Sequence, residues 1–126
     1  MNSDNTIYPA LVRARAPLRL GLAGGGTDVS PYSEQFGGHV LNVTIDKYAY
    51  ATLTPALAGT IELVASDTGA SWVGLAASAL EHHPGLSLHV GVYNRVVRDF
   101  RGGEPLSISI TTHSEAPPGS GLGSSS

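Results

Sequence analysis

Pro117-Pro118-Gly119-Ser120-Gly121-Leu122-Gly123-Ser124-Ser125-Ser126 is the stretch on which the reading of this chain turns. It follows a predicted strand, Leu106 to Thr112, where Leu and Ile alternate with Ser and Thr. Glycines let backbone N–H groups come close to a phosphate and point inward. Serine hydroxyls add donors, and one can serve as an oxygen ligand for Mg²⁺. A helix starting near Ser124 would add the favourable potential of its N-terminus. The run lacks the Lys that ends a Walker A loop. It has Ser124 where a dinucleotide fingerprint needs Gly. A flexible Gly/Ser linker has a similar make-up, and composition alone leaves linker and phosphate loop level. A linker seldom begins with Pro-Pro after a strand or sets one Leu among its glycines.

A second glycine-rich stretch lies near the other end: Ala16-Pro17-Leu18-Arg19-Leu20-Gly21-Leu22-Ala23-Gly24-Gly25-Gly26-Thr27-Asp28. The Asp28 carboxylate offers two acceptor oxygens to vicinal sugar hydroxyls. Its bland alternative is to cap a short helix at Pro31, the likelier role if this loop stood alone. Ser30-Pro31 is a helix start, with Ser30 as cap and Pro31 at the first helical position.

The rest of the chain reads as mixed. Leu11 to Ala16 alternates as a strand that Pro17 breaks. His39 to Asp46, Tyr48 to Thr54 and Thr60 to Ala65 read as strands of an antiparallel sheet. Ser71 to Leu80 is ambiguous. His89 to Phe100 has Val92, Tyr93, Val96, Val97 and Phe100 at helical spacing, with Arg95, Arg98 and Asp99 opposite, and Gly102-Gly103 ends it. This order of elements gives an α+β fold. His82, His83 and His89 make a loose cluster, more simply a solvated turn than a metal site.

Composition excludes several functions. The 126 residues contain no Cys, so there is no disulfide, Cys-ligated zinc or thiol nucleophile. A net charge of −3 with a single Lys argues against nucleic acid as a partner. No segment approaches the ~18 apolar residues of a membrane span. The polar start, Met1 to Thr6, has no signal-peptide pattern, so the expectation is a cytoplasmic protein without a membrane partner. Nothing follows the Gly/Ser run to pack on a sheet, and the end of the chain reads as a cut.

Taken in order, the two stretches resemble the GHMP small-molecule kinases. The family's first motif in galactokinases runs A-P-G-R-V-N-L-I-G-E-H-T-D. Ala16, Pro17, Arg19, Leu22, Gly24, Thr27 and Asp28 coincide with it without a gap. The second motif, P-x-x-x-G-L-G/S-S-S-A/S, fits Pro117 to Ser126 position by position. Gly-Gly-Gly-Thr-Asp in place of Gly-Glu-His-Thr-Asp is similar to the branch that phosphorylates D-glycero-D-manno-heptose 7-phosphate.

The polar start of the chain reads as a loose tail, taken as 1–10. The resemblance implies that 11–126 is the N-terminal GHMP kinase domain, like the second domain of a ribosomal small-subunit protein, truncated at the phosphate-binding loop. It implies ATP and Mg²⁺ as cofactors and a sugar phosphate as small-molecule substrate. It assigns Pro118, Gly119, Ser120, Gly121, Leu122, Gly123, Ser124 and Ser125 to the ATP phosphates and Ser125 also to Mg²⁺. It assigns Gly26, Thr27 and Asp28 to the sugar, and Arg19 to the charge developing at the attacking hydroxyl. Gly25 and Gly26 replace the galactokinase Glu-His and leave room for a bulkier or phosphorylated sugar. Alternatives are a galactokinase- or fucokinase-like sugar 1-kinase, and a non-catalytic protein that binds sugar or nucleotide. The downstream acids that complete such a site are absent, so the 126-residue chain is expected to be inert. Oligomeric state is not legible.

Overall fold

The computed structural model describes residues 10–116 and Ser120. The tail expected over 1–10 lies outside these residues except for Ala10. Five strands and two helices follow in the order β1 (Val12–Ala23), α1 (Tyr32–Phe36), β2 (Leu41–Pro55), β3 (Thr60–Ala65), β4 (Ala70–Leu75), α2 (Ser87–Phe100) and β5 (Ile108–Ser114). Hydrogen bonding orders the strands β1-β2-β5-β3-β4. The described residues cluster into two units: 10–14 with 50–113, and 15–49 with 114–116 and 120.

The first unit holds the core. Along β3, exposure alternates as sequence periodicity demands, with Ile61, Leu63 and Ala65 buried. These pack with Leu80 and with Leu86, Val90, Tyr93 and Val97, which recur at helical spacing on and just before α2. β3 pairs antiparallel with β4 and parallel with β5. The sheet is therefore mixed, not antiparallel as expected. A parallel neighbour needs a long crossover, here supplied by β4 and α2 between β3 and β5. The expected helix is present, but its buried stripe is rotated. Val92 and Phe100 are exposed, while His89 and Val90 are buried. Gly102 and Gly103 end α2 with positive φ, and the Gly103 N–H donates to the Val97 carbonyl.

Two polar side chains of α2 tie it to its surroundings. The Asn94 carbonyl accepts from the Leu80 N–H at 2.7 Å, and its amide donates to the Leu80 carbonyl at 2.9 Å. His89 shares a 2.8 Å hydrogen bond between Nε2 and the Thr112 hydroxyl. Its Nδ1 is buried and closes no well-aligned hydrogen bond with any described residue. Burial holds the His89 pKa below its ordinary 6.5, against smaller opposite pulls from the Val64 backbone and Asp67. The unfolded chain therefore takes up a proton at a pH where the folded one does not. Stability is full above about pH 6.5 and is lost as the pH falls from there through the folded value. Urea midpoints of the complete protein measured from pH 7.5 downward (a range chosen to bracket that ordinary value) should fall, and His89→Gln should remove that part of the slope. Parallel profiles for the two proteins would refute it.

The second unit is built on β1 and β2. Arg15 lies over the Tyr48 ring at 4.8 Å. The expected break at Pro17 does not occur, because β1 runs unbroken from Val12 to Ala23. β1 stands at one end of the strand order, where a residue without an N–H is tolerated. The two strands expected between His39 and Thr54 are one, β2. α1 is capped at Pro31 without a side-chain hydrogen bond. Neither Ser30 nor Asp28 is its cap. The Val29 carbonyl accepts from Ser33 N–H at 3.1 Å instead.

Candidate functional site

Five residues after the end of β1 the chain reaches Asp28. The intervening turn is held by one side chain. The Thr27 hydroxyl donates to the Gly24 carbonyl at 2.7 Å and accepts from the His39 N–H at 3.1 Å. The His39 carbonyl lies 3.1 Å from the same hydroxyl. Thr27 therefore fastens the glycine turn to the segment entering β2. Its hydroxyl is occupied in shaping the turn, a role the sequence did not reveal because the partner lies twelve residues away.

The glycines differ in what requires them. Gly24 has a φ of +77°, and a Cβ there would collide with the His39 carbonyl. Gly38 lies against the Thr27 carbonyl, and a Cβ would stand 3.0 Å from the Asp28 Cα. At Gly25 no atom of the described residues lies within 4 Å of a Cβ, and φ is not positive. Gly25 alone of the three consecutive glycines is demanded neither by contact nor by backbone conformation, since Gly26 has a φ of +88°. Asp28 is exposed and makes no hydrogen bond or ion pair with any described residue.

β1 carries three arginines at odd positions. Arg13 lies over the Tyr50 ring at 4.7 Å and Arg15 over Tyr48. Arg19 is exposed and has no partner among the described residues. Its charge is unclaimed by the described residues.

The second motif begins where β5 ends. The Glu115 N–H donates to the Tyr48 carbonyl at 3.0 Å, and the Glu115 carboxylate accepts from the Tyr48 N–H at 2.6 Å. Ala116 is buried, and its N–H donates to the Ser114 hydroxyl at 3.2 Å. The entry to the loop is thus fixed to β2, and sequence reading missed Glu115 entirely. Of the loop itself, Ser120 is described and exposed. Pro118, Gly119, Gly121, Leu122, Gly123, Ser124 and Ser125 lie outside the described residues. Arg19, Gly26, Thr27, Asp28, Ser114–Ala116 and Ser120 all belong to one compact unit. Segments some ninety positions apart in the chain are grouped there.

The three histidines go to separate places. His89 meets Thr112, His83 stacks on Trp72 at 4.0 Å, and His82 Nδ1 lies 3.5 Å from the Ser87 hydroxyl. Among the described residues, no group of three or more His, Asp or Glu could hold a metal ion. On α2, Arg95 and Arg98 both pair with Asp99, whose carboxyl is held below its ordinary range chiefly by the Arg98 hydrogen bond. No helix among the described residues is long and apolar enough to cross a membrane.

No family model matches the chain. Over 115 residues, 91% of the chain, it is 43% identical to a D-glycero-alpha-D-manno-heptose 7-phosphate kinase from Campylobacter jejuni, covering 34% of that protein. A crystal structure of a D-glycero-D-manno-heptose 1-phosphate kinase from Bacteroides thetaiotaomicron matches with a TM-score of 0.79 and 53% identity, over 89% of this chain and 36% of that one. A Lactococcus lactis galactokinase complexed with galactose matches with a TM-score of 0.65 over 89% of this chain and 28% of that one. At its 17% identity that likeness is one of fold alone. The chain spans about a third of the length of the relatives it matches.

Its homologues are therefore sugar kinases, and its mixed sheet has the fold of a part of such enzymes. More narrowly, they are heptose phosphate kinases, with galactokinase a more distant neighbour.

Proposed function

We propose that the complete protein transfers a phosphoryl group from ATP to D-glycero-D-manno-heptose 7-phosphate, giving the 1,7-bisphosphate. The observation that carries this is the 43% identity to a heptose 7-phosphate kinase across nearly the whole chain. Supporting it, Arg19 and Asp28 share a compact unit with the entry to the Gly/Ser loop. In this reading Asp28 accepts hydrogen bonds from sugar hydroxyls. Arg19 neutralises charge developing on the attacking oxygen. The open space beside Gly25 receives the bulk of a heptose phosphate. Residues 118–125 would cradle the ATP phosphates, and Ser125 would be the residue to hold Mg²⁺, through its hydroxyl. Mg²⁺ would supply charge neutralisation across the phosphates. Residues 11–126 then form the N-terminal domain, of the ribosomal-protein second-domain type, in a cytoplasmic enzyme. The 126-residue chain alone carries no turnover.

Incubating the complete protein with ATP, Mg²⁺ and heptose 7-phosphate, heptose 1-phosphate, galactose or fucose, followed by ³¹P NMR, tests the reading. New anomeric phosphate from the 7-phosphate is the expected result. Turnover of galactose or fucose alone would support the sugar 1-kinase alternative. Binding without turnover would leave a non-catalytic binder.

Gly38→Ala probes the turn without touching a proposed ligand. Its Cβ forces the Thr27 carbonyl and the Asp28 backbone outward. A displacement on the order of 1 Å at a positioning group costs about 10²-fold. We expect kcat/KM for the sugar to drop by about that factor, with the KM for ATP nearly unchanged. An unaltered kcat/KM would show that Asp28 placement is unimportant.

A further inference from the structure

β5 ends at Ser114, yet the next residue is still bonded to β2. The Glu115 N–H donates to the Tyr48 carbonyl at 3.0 Å. The return bond is of another kind, because the Tyr48 N–H donates to the Glu115 carboxylate, at Oε2, over 2.6 Å. In a regular hydrogen-bonded pair of an antiparallel ladder both bonds join main chain to main chain. A side chain thus stands in for a main-chain acceptor at the point where the strand stops. One residue on, Ala116 is 4% exposed, and its N–H donates to the Ser114 hydroxyl at 3.2 Å. Tyr48 and residues 114–116 belong to one compact unit.

Glu115 is exposed and forms no ion pair with any described residue. Its charge has the wrong sign to attract a triphosphate. What the carboxylate supplies is an acceptor oxygen for one main-chain N–H. Such a charge-assisted bond is roughly twice as strong as one between neutral groups. Pro117 and Pro118 follow in the sequence, and a proline ring restricts φ, so a direction given to the chain at Glu115 is passed on with little slack. We propose, on the reading of 118–125 as the ATP site, that Glu115 is a positioning residue for the nucleotide. Its bond to the Tyr48 N–H sets the direction in which the chain leaves β5, and through it the placement of the Gly/Ser loop against the ATP phosphates. The part is played by hydrogen bonding and not by charge.

Calorimetric titration of the complete protein with ATP and Mg²⁺, for the parent, Glu115→Ala and Glu115→Gln, tests this. Glu115→Ala should weaken ATP binding by about tenfold, the size of one hydrogen bond to a charged acceptor. The KM for the sugar should stay within about twofold, a split that a general loss of stability would not produce. Glu115→Gln keeps an acceptor oxygen on a side chain of the same length, and should bind ATP within about threefold of the parent. Unchanged ATP affinity in Glu115→Ala would overturn the proposal. So would an equal loss in Glu115→Ala and Glu115→Gln, which would assign the effect to charge. A parent that binds no ATP would sink the reading of the loop, and this proposal with it. Should Glu115→Ala fail to fold, amide exchange in the unsubstituted protein reads the bond itself. The Tyr48 N–H should exchange more than ~tenfold slower than in the urea-unfolded chain. Exchange at the unfolded rate would refute the bond and the role built on it.

Discussion

Arg19→Met in the complete protein is expected to lower kcat for sugar phosphorylation by about 10²–10³-fold, the usual loss when one donor to developing negative charge is removed. The three arginines of β1 are chemically alike, yet Arg13 and Arg15 lie over Tyr50 and Tyr48 while Arg19 has no described partner. A guanidinium that no described residue engages is available to a ligand. Because it is exposed, its removal should leave the urea midpoint within the small range of surface substitutions, about 0.5 kcal/mol. Arg15→Met supplies the contrast, with a change in stability of cation–π size, roughly 0.5–1 kcal/mol, and little change in kcat. Arg19→Lys should recover part of the rate, since it keeps the charge and loses the planar fork. If kcat for Arg19→Met stays within threefold of the parent (~0.7 kcal/mol), Arg19 has no part in the chemistry.

Tyr93→Ala should cost about 3–5 kcal/mol, as expected for truncating a buried aromatic. Tyr93 is 2% exposed and lies at the centre of the α2 stripe. Its hydroxyl donates to the Ala77 carbonyl at 3.0 Å and accepts from the Leu106 N–H at 3.1 Å. The ring fills the core while the oxygen joins two connecting segments. Tyr93→Phe separates these roles. It keeps the volume but leaves the Leu106 N–H without its acceptor, a loss of about 1–3 kcal/mol. Urea unfolding and amide exchange within α2, both on the complete protein, measure the two variants. A loss below ~1 kcal/mol for Tyr93→Ala would mean that the core does not depend on this helix.

How much of this was legible depended on what each residue faces. β3 was readable because one of its faces is covered and the other less so, and its hydrophobic period maps to burial. The helix stripe was misplaced because Val92 and Phe100 are apolar but exposed, while His89 is polar but buried against Thr112. Pro17 looked like a break because the sequence does not reveal that β1 ends the strand order. The parallel pairing of β3 with β5 depends on which distant strand arrives between β2 and β3, and local pattern carries no trace of that. For the candidate site, the resemblance pointed to Arg19 and Asp28, but not to Thr27 as a fastener, Gly38 as a spacer or Glu115 as an anchor. Each of those roles exists only through a partner remote in sequence.

The inequality among the three consecutive glycines separates two kinds of selection within one turn. Gly24 is fixed by the His39 carbonyl and Gly26 by its backbone angle, so substitutions there act on folding yield. Gly25 is free of both constraints. A library of the complete protein randomised at these three codons, sorted once for soluble expression and once for the proposed sugar phosphorylation, should give profiles that coincide at 24 and 26 and diverge at 25. Side chains that expression accepts at 25 and activity rejects would then outline the proposed sugar phosphate beside it.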